Sequence, residues 1–413
     1  MAKKSILFIN ESLACAGGEK SLLNLLSSLD YDRYDVSLQL FKYGCPWDKL
    51  IDPRVKVLPP LPYCKFTELP LSRAAVYALK KWKWNWLWAR LRYSIALRTT
   101  KHLNNPSKAV LFWKHQGRNF AIRQERYDYV IAYAQGIPTF YVADKYLGQK
   151  RLAWVNSTYA PESPHKEFIQ TKYEQIDTIV AVSEEIQTLE KKHWTTVSDR
   201  VRVFRDLINP EMIEKLARTP ISLSKDDSIL TLVTLGRMSP QKGYDIAIDA
   251  AAHLQRMGIN FRWLILGGGI LEPAIRADIE RYNLGNRVQL LGIKSNPYPY
   301  LKLADIYVQT SRLEGFGLAI AEARLLNIPV VATRFNTVYM QMVDEKNGLV
   351  TDLDGKSVAE GIIRLAKDKQ LYKSIVEYLH HEPKGNLETI PQFYDLLAET
   401  DKNYRNNQSP SHI

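Results

Sequence analysis

Between Glu68 and Glu125 the chain has neither aspartate nor glutamate. The same interval carries Arg73, Lys80, Lys81, Lys83, Arg90, Arg92, Arg98, Lys101, Lys108, Lys114, Arg118 and Arg123. The formal net charge of +12 is therefore unevenly placed. Cations without interspersed anions set up a local field that attracts polyanions: nucleic acid, anionic lipid or a phosphorylated substrate. Other absences narrow the class further. The three cysteines, Cys15, Cys45 and Cys64, are odd in number and lack metal-ligand spacing. They read as reduced thiols of a cytoplasmic protein rather than as a disulfide framework. His165, His193, His253, His380 and His381 form no metal-ligand grouping, so no metal is expected. No apolar run reaches the ~18 residues needed to span a bilayer. The start, MAKKSILFIN, follows a Lys pair with only a short apolar run. That pattern fits a buried first strand, not a secretory leader.

What is present describes a folded protein larger than one ordinary core. The length of 413 residues, with 46% hydrophobic and 24% charged content, implies two domains of roughly 150–200 residues each. Strand-like runs at residues 5–10, 36–41, 129–133, 152–155, 178–182 and 201–204 alternate with helical patterns such as SLLNLLSSL. Continuous apolar strands between helices indicate a parallel sheet covered on both faces. A polar stretch with Pro220 at 214–227 reads as a linker, and alternation restarts at 229–235, 261–266, 287–291, 305–309 and 328–332. The fold class is thus α/β, with two doubly wound, Rossmann-like domains. The first is expected over 1–213, with a basic, Trp-rich insertion at about 71–125. The second is expected over 229–384, followed by a polar tail, 385–413, with a frayed end. Ligands of such sheets sit beyond the carboxyl ends of the strands, so two facing domains would enclose a cleft.

Two segments carry chemistry. In TLVTLGRMSPQKGYDIAIDAA, Gly236 and Arg237 lie just past a strand and Lys242 at the start of the next helix. Both cations stand beside a helix N-terminus that itself favours anions, an arrangement suited to a diphosphate. In TSRLEGFGLAIAEARLLNIPVVAT, Glu314 follows a strand, and Gly315 and Gly317 let the backbone approach a ligand. Glu322 is expected about two helical turns on, with its carboxylate available to sugar hydroxyls. Gly267, Gly268 and Gly269 also follow a strand but lack the spacing of a dinucleotide fingerprint. Asp352 and Asp354, between Gly348 and Gly355, read as a turn rather than a metal pair.

These residues resemble glycosyltransferase family 4, the retaining GT-B enzymes of bacterial surface-polysaccharide synthesis. GRMSPQKG resembles the family's diphosphate-binding Arg and Lys, EGFGLAIAE its Glu-x7-Glu motif, and LGIKSNPYPYLKLADIYVQTS its base-binding loop. AGGEKSLLNLL and DTIVAVSEEI are similar to N-terminal motifs of the family. The resemblance implies a hexosyltransferase acting on a nucleotide-diphosphate sugar, with uridine expected, and no cofactor or metal. It gives donor-binding roles to Gly17, Gly18, Gly236, Arg237, Lys242, Ile293, Glu314, Gly315, Phe316, Gly317, Leu318 and Glu322. Among them, Glu314, Arg237 and Lys242 act in catalysis. It also implies that the C-terminal tail returns toward the first domain. AWVNSTY departs from the pattern: Asn156 stands where many relatives have a His that contacts the donor sugar. Asn cannot take a proton at neutral pH, which weakens any mechanism with a side-chain base there. Two other readings use the same features. A nucleotide-sugar epimerase shares the fold but needs acids and bases around the sugar. A nucleic-acid-binding protein would use the basic segment and leave the Glu pair idle.

KKWKWNWLWARLRY, residues 80–93, holds Trp82, Trp84, Trp86 and Trp88. No Gly or Pro interrupts residues 72–100, so a helix is expected. Trp82, Trp86, Ala89, Tyr93 and Leu97 would form one apolar stripe, and Trp84, Trp88, Leu91 and Ile95 a second, nearly opposite. One stripe suffices to pack a helix on its own domain. The second, flanked by Lys81, Lys83 and Arg92, suits an anionic membrane surface; burial of both stripes is the alternative. With the resemblance, this implies a peripheral enzyme at the inner face of the cell membrane, acting on a polyprenyl-diphosphate-linked glycan.

Overall fold

The computed structural model describes residues 3–14, 17–100, 105–156 and 165–408. Cys15, Ala16, Lys101, residues 157–159 of the AWVNSTY segment and residues 409–413 of the tail lie outside the described residues. The chain forms two compact units. The first contains β1 (Lys4–Asn10), α1 (Gly17–Ser28), β2 (Tyr34–Leu40) and the short β3 (Lys56–Val57). Four helices are inserted next: α2 (Pro62–Glu68), α3 (Leu71–Lys80), α4 (Trp84–Thr99) and α5 (Asn105–Gln116). Alternation resumes with β4 (Tyr129–Ala132), α6 (Ile137–Lys145), β5 (Lys150–Val155), α7 (Lys166–Tyr173), β6 (Thr178–Ala181), α8 (Glu184–His193) and β7 (Val201–Val203). The strands pair in parallel in the order β3-β2-β1-β4-β5-β6-β7. Ile6, Leu7, Phe8 and Ile9 of β1 are all fully buried. Consecutive, not alternating, burial is what coverage of both sheet faces requires.

The second unit contains α9 (Pro210–Ala217), β8 (Leu230–Leu235), α10 (Tyr244–Arg256), β9 (Phe261–Leu266), α11 (Glu272–Arg281) and β10 (Val288–Gly292). It continues with α12 (Tyr298–Leu301), β11 (Ile306–Gln309), α13 (Leu318–Leu325), β12 (Val330–Thr333), β13 (Gly348–Thr351), α14 (Gly355–Lys367) and α15 (Lys369–His381). The six strands are parallel, in the order β10-β9-β8-β11-β12-β13. Neighbouring residues serve opposite cores: Leu232, Trp263 and Val308 pack on one face, Val233, Leu264 and Tyr307 on the other. This period of two is the strand pleat itself.

The division between units falls at Asp206, ahead of the polar stretch 214–227 that the sequence offers as the linker. The cause is α9, whose Ile213 and Ala217 are buried in the core of the second unit. β3 and β13 also lack strong sequence signals, since one is two residues long and the other opens on Gly348. The Asp354 side chain accepts from Ser357 N at 2.8 Å and caps α14.

After α15 the chain returns to the first unit as α16 (Ile390–Gln408). Phe393, fully buried, lies with its ring centroid 5.9 Å from that of Phe204 and 6.2 Å from those of Phe8 and Trp154. Further along, Thr400 and Thr178 share a hydrogen bond of 2.8 Å, and Asp401 pairs with Lys150 at 2.6 Å. These contacts make α16 a core element of the first unit. Phe393→Ala is expected to lower that unit's stability by about 3–5 kcal/mol. Urea unfolding with purified protein checks this; a loss under about 1 kcal/mol would show that α16 is not integral to the core.

Candidate functional site

In the second sheet the strand order turns around between β8 and β11. From β8 the chain goes outward to β9 and β10, then returns to β11 on the other side. Helices on opposite sides of this point leave a crevice at the strands' carboxyl ends, where open α/β sheets bind ligands. β8 and β11 are direct neighbours, with Leu232 opposite Ile306 and Val233 opposite Tyr307. The β8 exit carries Gly236 and Arg237, and the β11 exit leads to Glu314. Apart from Ile293, which follows β10 two strands from β8, the sequence-predicted residues of the second unit therefore arise from adjacent strand ends.

Glycines allow these loops to close on one another. Gly243, at φ +59°, faces Thr310 so closely that a Cβ would lie 2.1 Å from its carbonyl oxygen. Thr310 Oγ1 in turn donates to the Lys242 carbonyl at 3.1 Å. The amide of Arg312 donates to the Gln241 carbonyl at 2.7 Å, and its guanidinium grips Asp245 at 2.6 and 2.8 Å. The Arg312 hydrogen bonds hold the Asp245 carboxyl below the ordinary carboxylate range. The glycine triplet also has a packing role here. A Cβ on Gly267, at φ +143°, would sit 1.9 Å from the Gly236 carbonyl oxygen, and one on Gly269 2.4 Å from that of Met238. Gly268 packs beside Ile293, which is exposed. Arg237 is exposed as well.

Glu314 is tied by three donors. Its Oε1 accepts from Lys242 Nζ, Gln309 Nε2 and Ser311 Oγ, each at 2.6 Å. The donors form a directed set. The buried Tyr307 hydroxyl donates to Gln309 Oε1, and Gln309 Nε2 donates to both Ser311 Oγ and Glu314. An ionised carboxylate only accepts, so the Ser311 proton must also point at it. Burial, and then the Glu314 charge, push the Tyr307 hydroxyl well above its usual value, so it stays a donor. Glu314 Oε2 has no hydrogen bond among the described residues.

Gly317, at φ +82°, is the N-cap of α13. It delays the helix start to Leu318, so Glu322 stands one turn into the helix, not the two expected from sequence. Phe316 and Leu318 are nearly buried and anchor the loop in the core. The amides of Phe316 and Gly317, next to Gly315, donate to no acceptor among the described residues. Glu322 is 2% exposed, and its Oε1 accepts from Tyr298 OH at 3.0 Å. Burial, reinforced by that carboxylate, raises the Tyr298 hydroxyl well above its usual value.

Gly17 and Gly18 open α1. A Cβ on Gly18 would lie 2.9 Å from Asn156 Nδ2. Asn156 Nδ2 donates to the Tyr133 carbonyl at 3.1 Å, leaving its buried Oδ1 unpartnered. Sequence reasoning did not single out Gln309, Ser311, Tyr298 or Tyr307. Period-two alternation places Tyr307 and Gln309 on one strand face, but nothing in it marks that face as leading to Glu314.

Residues 218–381 match the family model described as glycosyl transferases group 1. The N-acetylgalactosamine-N,N'-diacetylbacillosaminyl-diphospho-undecaprenol 4-alpha-N-acetylgalactosaminyltransferase of Campylobacter jejuni is 29% identical over 177 residues, 42% of this chain and 47% of that protein. The alpha-D-kanosaminyltransferase of Streptomyces kanamyceticus is 30% identical over 155 residues, 37% of this chain and 40% of that protein. The matches thus span about half, or less, of these relatives' own length. Among solved structures, Anabaena Alr3699/HepE in complex with UDP and glucose aligns with a TM-score of 0.63 at 18% identity, covering 98% of this chain and 100% of that one. The S. aureus TarM G117R mutant, in complex with Fondaparinux, alpha-GlcNAc-glycerol and UDP, aligns with a TM-score of 0.66 at 14% identity, covering 95% and 99%. The fold is therefore GT-B.

If Gln309 holds Glu314, the two are energetically coupled. A double-mutant cycle with Gln309→Leu and Glu314→Gln is expected to give about 1.5–3 kcal/mol of coupling. Urea denaturation of the four proteins measures it, and additivity would contradict the assignment.

Proposed function

We propose that this chain, which carries a glycosyl transferases group 1 stretch over residues 218–381 within a GT-B fold, is a retaining hexosyltransferase. Its donor is a UDP-sugar, and its acceptor a lipid-linked glycan of surface-polysaccharide synthesis. The observation that carries this reading is the Lys242–Glu314 ion pair at the switch point of the second sheet, with Arg237 on the loop that leaves β8. A nucleoside diphosphate needs cations and free amides for its phosphates, and its sugar needs a fixed acceptor for hydroxyls. Lys242 spends one N–H on Glu314 and keeps two for phosphate oxygens. The exposed Arg237 supplies a second, potentially bidentate cation. Ile293 borders the place for the base, and Glu322, aligned by Tyr298, faces the ribose hydroxyls.

Charge grows on the diphosphate as the bond to the anomeric carbon breaks. On this reading Arg237, Lys242 and the amides of Phe316 and Gly317 stabilise it, as preorganised donors do in such sites. These cations supply the positive charge that a metal supplies elsewhere, and the reading requires no metal. Glu314 Oε2 is left to accept from a sugar hydroxyl, while its Oε1 is fully occupied by protein donors. Attack by the acceptor hydroxyl from the face of the departing diphosphate, whose leaving oxygen takes the hydroxyl proton, retains configuration without a side-chain base. That suits Asn156, which cannot serve as one. The Campylobacter relative's name places its acceptor on diphospho-undecaprenol. A polyprenyl-diphosphate-linked glycan is accordingly the acceptor class, reached from the inner face of the cell membrane. No helix among the described residues is long and apolar enough to cross a membrane.

Screening UDP-sugars for transfer or hydrolysis tests the reading. Arg237→Ala and Glu314→Ala are each expected to cost about 2–4 kcal/mol in the transition state, roughly 30- to 1,000-fold in rate. Far-UV circular dichroism should stay unchanged. Near-normal turnover in either variant would remove that residue from the site, and calorimetry favouring GDP over UDP would overturn the uridine assignment.

A further inference from the structure

The turn between α3 and α4 has an unusual residue at a geometrically special position. α3 ends at Lys80, and the chain reverses through Lys81 and Trp82. The Lys83 amide donates to the Ala78 carbonyl at 2.9 Å, and the Trp82 amide to the Leu79 carbonyl at 3.4 Å. These are the two bonds of a Schellman helix stop, whose left-handed residue is usually glycine. Here that residue is Trp82, at φ +52°. A bulky side chain is disfavoured in that conformation. Burial does not compensate, because Trp82 is 84% exposed. The expected apolar stripe of α4 is thus corrected at its first member. Trp86 and Ala89 are buried, with the Trp86 ring against Tyr63, Phe66 and Tyr77, but Trp82 has left the helix. The opposite stripe is open: Trp84, Trp88, Leu91 and Ile95 are all exposed and share one face by their spacing.

The charge around this corner identifies what covers it. Arg73, Lys80, Lys81, Lys83, Arg92 and Arg98 are exposed, and none pairs with a carboxylate among the described residues. Exposed tryptophans flanked by unneutralised cations match the interface of an anionic bilayer, where indoles sit at headgroup level and Lys and Arg meet lipid phosphates. We propose that the α3–α4 corner is a membrane-insertion tip. The Trp82 indole enters the interface first, Lys80, Lys81 and Lys83 hold the headgroups, and the Trp84–Trp88 face of α4 makes the second contact. The left-handed backbone projects the indole outward at a cost in fold stability that only the bound state offsets. This rests on the lipid-linked acceptor reading for its purpose, but not for its evidence.

Trp82→Gly separates the two effects, because glycine fits the left-handed stop and removes the indole. Flotation with phosphatidylglycerol–phosphatidylcholine vesicles, and with phosphatidylcholine alone, reads binding; thermal unfolding reads the strain. The parent is expected to float only with the anionic vesicles and less in high salt. Trp82→Gly should float about tenfold less, melt no lower than the parent, and bind UDP as the parent does. Trp84→Ser/Trp88→Ser should weaken flotation also. A Trp82→Gly variant that floats like the parent, or melts below it, overturns the proposal. So does a parent that ignores vesicles, including one that instead shifts bulk RNA. A parent that floats but binds no UDP would sink the glycosyltransferase reading and leave the tip standing.

Discussion

One carboxylate oxygen organises the candidate site. Glu314 Oε1 accepts hydrogen bonds from Lys242, Gln309 and Ser311, which come from the loop after β8, from β11 itself and from the loop after β11. A carboxylate with a single side-chain partner could rotate; with three donors converging on one oxygen it cannot do so without losing charge-assisted bonds worth roughly 1.5–3 kcal/mol each. The surrounding architecture serves this convergence. Parallel β8 and β11 deliver the two loops side by side, and Gly243 lets them touch. The Arg312–Asp245 pair clamps them from the solvent side. The buried Tyr307 fixes which way the Gln309 amide faces.

The same ion pair sets the terms for an anionic ligand. A diphosphate arriving at Lys242 must share it with Glu314, whose charge repels it. The sharing works because an ammonium has three donors and Glu314 needs one. Arg237, with no carboxylate partner among the described residues, tips the local balance toward the anion. The proposed donor, anionic at one end and hydroxylated at the other, uses both halves of this pair.

Much of this was legible in the sequence, for identifiable reasons. The α/β class followed from continuous apolar strands, which only a sheet covered on both faces produces. The placement of Arg237, Lys242 and Glu314 past strand ends was legible because strand-to-helix loops stand out in the alternating pattern. Gln309 and Ser311 were not, since a polar residue at a strand's end resembles any loop entry until its partner is placed. Tyr298 escaped because it reaches Glu322 from a separate short helix, 24 positions away. The unit boundary at Asp206 was obscured by α9, whose amphipathic pattern does not say which core receives it. Trp82 was assigned to a helical stripe by spacing alone; the Schellman bonds that stop α3 are backbone events with no glycine to announce them.

The direct test is a crystal structure of the protein with UDP. The diphosphate is expected within hydrogen-bonding distance of Arg237 and Lys242, with the uracil beside Ile293, the ribose at Glu322, and Glu314 still held by Gln309 and Ser311. UDP bound away from the β8 and β11 carboxyl ends, or contacting neither cation at full occupancy, would contradict a nucleotide-sugar site built on this convergence.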